Sequence, residues 1–236
     1  MESPLDQQNN KTGIAQAPEL AQSMAEASAQ AEPSSTDREP FVATHAAYVQ
    51  DAFPVATMPP PPPDAETVPP LLLDKLGERL AFERSGVRLY DGLLLKLGAG
   101  QAFEGGPSEE DLRHIRDEEQ QHFEIVRAAI ESLGADPTAV TPSANLVGVE
   151  SMGICSVVAD PRTQLPDGLH AMLIAELADN AGWEQLIELC ESADQPDLAE
   201  RFEECRKQEE EHLDSVRRWL SAHATGVLTD AAAEMR

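Results

Sequence analysis

Glu119 and His122 stand three residues apart in the stretch DEEQQHFEIV, and Glu209 and His212 repeat that spacing in KQEEEHLDSV. On an α-helix, residues three apart share a face, so each pair turns a carboxylate and an imidazole the same way. Two single carboxylates, Glu83 and Glu176, sit in further stretches of helical periodicity. All six interrupt apolar stripes. Glu83 lies on the face of Leu76, Leu80, Val87 and Leu94, and Glu119 and His122 on that of Leu112, Ile115, Val126 and Leu133. Glu176 and Asn180 share a face with Leu169, Met172, Leu173 and Ile187, and Glu209 and His212 with Leu198, Phe202, Val216 and Leu220. Four carboxylates buried together cannot all stay ionised and unpaired, because desolvation and repulsion each cost several kcal/mol. Divalent metal ions resolve the conflict, and carboxylate oxygen with imidazole nitrogen is a donor set that iron and manganese accept.

Such a site needs four helices in register, and the sequence supplies them. The pattern predicts helices from about Pro70 to Leu97, from Ser108 to just before Gly134, from Pro166 to Ser192, and from Pro196 to His223. Ser108 with Asp111 resembles a capping box, and the prolines at 166 and 196 suit a first helical turn. No segment alternates with period two, so no sheet is expected. The connections at 98–107 and 193–196 are short and imply antiparallel hairpins. The long stretch between the second and third helices implies a crossover, with an apolar centre at Val147–Val158 able to pack as a short helix. The expected fold is therefore all-α, an antiparallel four-helix bundle with one long crossover between helices two and three. The six polar residues fall near helix midpoints, which antiparallel packing brings to one level.

Around this bundle (70–225), residues 1–69 read as a disordered tail rich in proline and acidic residues, including the run Pro59–Pro63, and 226–236 as a flexible C-terminal tail. The formal charge of −26 opposes binding to nucleic-acid phosphate or anionic membrane and favours cations. No apolar run approaches the ~20 residues of a membrane span. Three cysteines without a CxxC spacing and a start without a basic or apolar leader fit a cytoplasmic protein lacking disulfides. Cys190 and Cys205 read as core thiols. His114 and His170 lack suitable partners, Glu184 and Glu188 fall off the apolar stripe, and Glu118, Glu124, Glu203, Glu204, Glu210 and Glu211 read as solvated.

One Glu from each of two helices and a Glu-x-x-His from each of the other two, in the order Glu83, Glu119–His122, Glu176, Glu209–His212, resembles the di-metal carboxylate proteins of the ferritin-like superfamily. The stretches ERSGVRLY, ending at Tyr90, and ELADNAGW, ending at Trp183, are similar to the rubrerythrin and bacterioferritin branch, in which an aromatic follows the single Glu by seven positions. The missing CxxC pairs leave no rubredoxin module. The resemblance covers about residues 70–223. It implies two iron ions, or alternatively two manganese ions, held by the six residues, with Tyr90 and Trp183 against the ligands. It also implies an oxidoreductase acting on Fe²⁺, O₂ or H₂O₂ in the manner of a ferroxidase, peroxidase or catalase. Aromatic residues at 4% leave no evident pocket for a larger substrate and point to these small partners. The alternatives are a storage or cargo subunit, compatible with a homo-oligomer, and a metal-free interaction module.

Because the six residues all fall within the bundle, a chain lacking residues 1–69 is expected to keep its helicity, melting temperature and metal stoichiometry. Circular dichroism and metal analysis of the truncated protein check this. Loss of the metal would show that the segment belongs to the site.

Overall fold

The computed structural model describes residues 68–234, so the N-terminal tail lies outside the described residues except for its last two positions. Among the described residues every regular element is a helix. Four are long: α1 (Pro70–Gly98), α2 (Glu109–Ser132), α5 (Leu165–Ser192) and α6 (Pro196–Glu234). Two short ones, α3 (Pro142–Glu150) and α4 (Met152–Ala159), make up the connection between α2 and α5.

The helix boundaries follow from local chemistry. Ser108 caps α2, its hydroxyl accepting from the Asp111 N–H at 3.1 Å, while the Asp111 carboxylate accepts the Ser108 N–H at 2.8 Å. Gly134 ends the same helix with a φ of 75°, a left-handed conformation that glycine adopts without strain. The crossover holds two helices where one is expected, broken at Ser151. α6 continues past His223 to Glu234, with residues 224–229 exposed beyond the core. Gly226 does not stop it. A single glycine costs a helix about 1 kcal/mol relative to alanine, too little to end a long one.

The long helices close into a ring in which α1 packs on α2 and α5, α5 on α6, and α6 on α2, while α3 lies on α1 and α4 on α5 and α1. The apolar interior is split in two. One cluster joins Leu72, Leu76, Val126, Ile130, Leu186 and Phe202, and the other joins Leu93, Leu112, Leu165, Leu169, Met172 and Val216. On each long helix the candidate ligands fall in the gap between them. The interior is thus two apolar plugs around one polar layer.

The crossover is fastened to α1 at both ends. Asp74 accepts from the Ser143 N–H and from the Ser143 hydroxyl, each at 2.8 Å, and Thr141 Oγ1 donates to the Asp74 carbonyl at 3.0 Å. At the far end, Lys96 Nζ donates to the carbonyls of Asp160 (3.0 Å) and Thr163 (2.9 Å). Removing the Asp74 carboxylate should loosen this strap without touching the polar layer. Asp74→Ala is expected to cost about 1.5–3 kcal/mol, the usual range for hydrogen bonds to a charged group. Faster amide exchange should be confined to α3. Exchange spreading to the middle of α2 would show that the strap also holds the core.

Candidate metal centre

The six side chains singled out from the sequence meet in the polar layer. Glu83, His122 and Glu209 are fully buried, Glu119 is 1% exposed, and Glu176 and His212 are 2% exposed. Glu209 lies between the two imidazoles, with Oε1 2.6 Å from His122 Nδ1 and Oε2 3.1 Å from His212 Nδ1. Glu83 Oε2 lies 3.6 Å from His122 Nδ1, and Glu119 Oε1 lies 3.7 Å from His212 Nδ1. Donor atoms of Glu119, Glu176, Glu209 and His212 lie within 4.8 Å of one another, as do those of Glu83, His122 and Glu209. These are two overlapping nests that share Glu209, a geometry in which one carboxylate can bridge two ions.

Both imidazoles turn Nδ1 inward and are anchored through Nε2. His122 Nε2 lies 2.8 Å from Gln208 Oε1, and His212 Nε2 lies 3.0 Å from Glu118 Oε2. Gln208 Nε2 donates to Glu118 Oε1 at 2.9 Å, which closes the chain His122–Gln208–Glu118–His212. The sequence reading of Glu118 as a solvated residue is therefore corrected. Its helical angle points it away from Glu119, but α6 comes close enough for His212 to reach it. Its hydrogen bond with His212 holds its carboxyl below the usual range. Exposed His114 touches only this outer edge, with Nε2 3.5 Å from Glu118. Glu184, Glu188 and His170 are exposed as expected.

Tyr90 and Trp183 both reach the site, in different ways. The Tyr90 hydroxyl donates to Glu176 Oε1. Trp183 packs edge-on against His122, with ring centroids 5.7 Å apart, and seals that side. Asn180 donates to the carbonyls of Glu176 (2.9 Å) and Glu209 (3.1 Å), tying α5 to α6 at the level of the ligands. Gly86 was not apparent as a site residue from the sequence. A Cβ there would lie 2.1 Å from Glu119 Oε2, so the glycine makes room for that carboxylate. Cys190 and Cys205 are buried thiols, pushed up by burial to about 11 and about 12, and Cys155 is exposed.

The donor set fits divalent metal. Glu119 Oε2, Glu176 Oε2 and both Glu83 oxygens are buried without a hydrogen-bond partner, and Glu209 Oε1 and His122 Nδ1, 2.6 Å apart as an ion pair, have no other. That is a costly arrangement unless a cation takes those lone pairs. Without metal, protons must do so. Burial and then Glu209 push Glu119 well above the carboxylate range, and the same two causes raise Glu176 to about 8. Against the downward push of burial, the neighbouring carboxylates of Glu209 and Glu83 raise His122 to about 11. Against the upward push of burial, His212 and His122 hold Glu209 well below the carboxylate range.

A helical bundle with buried carboxylates from four helices, two of them paired with histidine, defines the ferritin-like di-metal class. Residues 74–231 match the family described as ubiquinone biosynthesis protein COQ7. The chain belongs to that family, a ferritin-like branch that carries a di-iron centre. Comparison with curated proteins and with solved structures gave no match. Iron is therefore the metal, in place of the manganese alternative.

The raised values fix the sign of a pH effect. A group raised on folding contributes stability at low pH that is lost as pH rises through its folded value. For Glu176 the loss runs from 4.5 to about 8, and for His122 from 6.5 to about 11. Lowered Glu209 acts in the opposite sense, losing its contribution as pH falls below the carboxylate range. The metal-free protein should therefore melt highest at about pH 5–6 and progressively lower towards about pH 9. Saturating Fe²⁺, which requires deprotonated donors, should reverse that slope. Thermal melts with chelator or with anaerobic Fe²⁺ test both halves. A metal-free melting temperature that climbs from pH 6 to 9 would contradict the account.

Proposed function

We propose that the chain is a di-iron hydroxylase that inserts one oxygen atom into the ring of a ubiquinone precursor. The observation that carries this reading is a complete, buried, six-residue donor set inside the region matching the ubiquinone biosynthesis family. In this proposal Glu83, Glu119, His122, Glu176, Glu209 and His212 would hold the two irons. When bound, the iron pair would supply a two-electron centre at which O₂ is activated. The overall reaction consumes O₂, two electrons and two protons, converts a ring C–H to C–OH, and releases water. The electrons come from an external two-electron donor.

The chain's own residues supply position, protons and dryness. Glu118 and Gln208 fix both imidazoles with Nδ1 inward, which keeps the ligands in place through a change in metal charge. Tyr90 donates to Glu176 and steadies its free oxygen. Trp183, fully buried, keeps water from His122. A lipophilic substrate also needs an apolar landing surface. Leu146 (58% exposed) and Val149 (61%) stand one turn apart on α3, and Met152 (63%) opens α4. These residues support a larger apolar reactant than composition alone suggested. No helix among the described residues is long and apolar enough to cross a membrane.

A second reading, turnover of Fe²⁺, O₂ or H₂O₂ alone, is favoured by the burial of all six donors, which small reactants reach most easily. The two separate in one assay. Iron-loaded protein receives a two-electron reductant, O₂ and a short-tailed benzoquinone with one open ring C–H, and products are read by mass spectrometry with ¹⁸O₂. The hydroxylase reading expects a mass gain of one ¹⁸O on the ring. Rapid Fe²⁺ oxidation or peroxide loss with an unchanged ring would favour the small-reactant reading. Glu118→Ala should keep two irons per chain but weaken their binding about 10–100-fold, the usual effect of removing a group that orients a ligand.

A further inference from the structure

Helix α5 carries a third pair at the spacing of the two Glu-x-x-His motifs, Glu176-Leu177-Ala178-Asp179. Asp179 is 2% exposed and lies on the inner face with Glu176. One of its carboxylate oxygens lies within 4.8 Å of oxygens from Glu83, Glu119 and Glu209, which are themselves within that distance of one another. Of those three glutamates, Glu83 has both oxygens and Glu119 has Oε2 buried without a hydrogen-bond partner. Four carboxylates thus converge on one point, where their charge must be offset by protons or by a cation.

The protein provides one cation at the edge of this cluster. Arg79, 3% exposed, forms an ion pair with Asp179 Oδ1. Its Nη1 donates to the Asp179 carbonyl at 3.1 Å and lies 3.5 Å from Glu83 Oε1. The guanidinium is held over the Phe82 ring at 4.6 Å and the Trp183 ring at 5.5 Å. Gly182 leaves space for it, since a Cβ there would lie 2.7 Å from Arg79 Nη2. Charge counting separates the roles. Two ferrous ions balance the four glutamates, so Asp179 brings one negative charge too many and Arg79 offsets it. A buried aspartate with its own buried arginine costs desolvation twice and is weak evidence of a stabilising device. Its position beside the iron ligands calls for a functional reason.

We propose that Asp179 is a seventh protein ligand of the di-iron centre, serving the iron held by Glu83 and His122, and that Arg79 competes with the metal for it. This rests on the di-iron reading above. The two iron positions are then unequal. One can take up Asp179 when Arg79 releases it, and the other is fixed by Glu176, His212 and Tyr90.

Co²⁺ is the probe, because its visible ligand-field bands report coordination number and geometry. Full-length protein is titrated with Co²⁺, following affinity by calorimetry and coordination by absorption. Wild type should bind two ions in unequal steps. Asp179→Asn should keep two ions, weaken one step about tenfold or more, and change the band intensity of that ion alone. Arg79→Met should tighten the same step. The double variant, which leaves no unpaired buried charge, should show the Asp179→Asn spectrum and covers the case in which that single variant fails to fold. Double-variant bands identical to wild type would reduce Asp179 to a counter-ion of Arg79, even if affinity shifts. Wild type that binds fewer than two Co²⁺ would overturn the di-iron reading itself, a different result.

Discussion

The structure depends on the mutual repulsion of buried carboxylates. Glu83, Glu119, Glu176 and Glu209 come together from four helices, with Asp179 beside them, in a layer closed to water. At an effective dielectric constant of about 20, two charges 4 Å apart interact by about 4 kcal/mol. Unneutralised, that layer would force the helices apart. Protons on Glu119, Glu176 and the imidazoles relieve it in the metal-free chain, and iron relieves it in the working one. The two apolar clusters above and below hold the helices in register while that exchange occurs.

Placing a polar layer between two apolar plugs has a consequence for function. The plugs bear the stability, so the layer is free to be arranged for chemistry. Histidines turned inward through Nδ1 and fastened outside through Nε2 illustrate the division, since their outer contacts on Gln208 and Glu118 orient them without occupying a coordination position. Small residues do similar work. Gly86 admits Glu119 and Gly182 admits Arg79, each where a methyl group would collide. Substituting them would alter the site without removing any polar group.

Much of this was legible in the sequence. The 3.6-residue period located the four long helices, and the six ligand candidates stood out because charged residues interrupt apolar stripes only at a cost. Glu118 was misjudged because one helix's periodicity says nothing of how closely its neighbour approaches. Asp179 and Arg79 escaped notice for a related reason. Each is an ordinary charge until packing buries it, and only the pairing of α1 with α5 shows that they are partners. Gly86 gave no signal in the sequence, because the space a glycine leaves has meaning only once its occupant is known. The preference for small reactants came from the scarcity of aromatics, yet the exposed apolar residues of the crossover, Leu146, Val149 and Met152, are aliphatic.

The claim that iron resolves the charge conflict in this layer is tested most directly by locating the metal. Crystals of protein loaded anaerobically with Fe²⁺ would be measured at the iron absorption edge. Two anomalous peaks per chain are expected within the layer of Glu83, Glu119, His122, Glu176, Glu209 and His212, roughly 3.5–4 Å apart as in other two-metal sites. A single peak, or iron confined to acidic surface residues with the six buried side chains hydrogen-bonded only to one another, would contradict it.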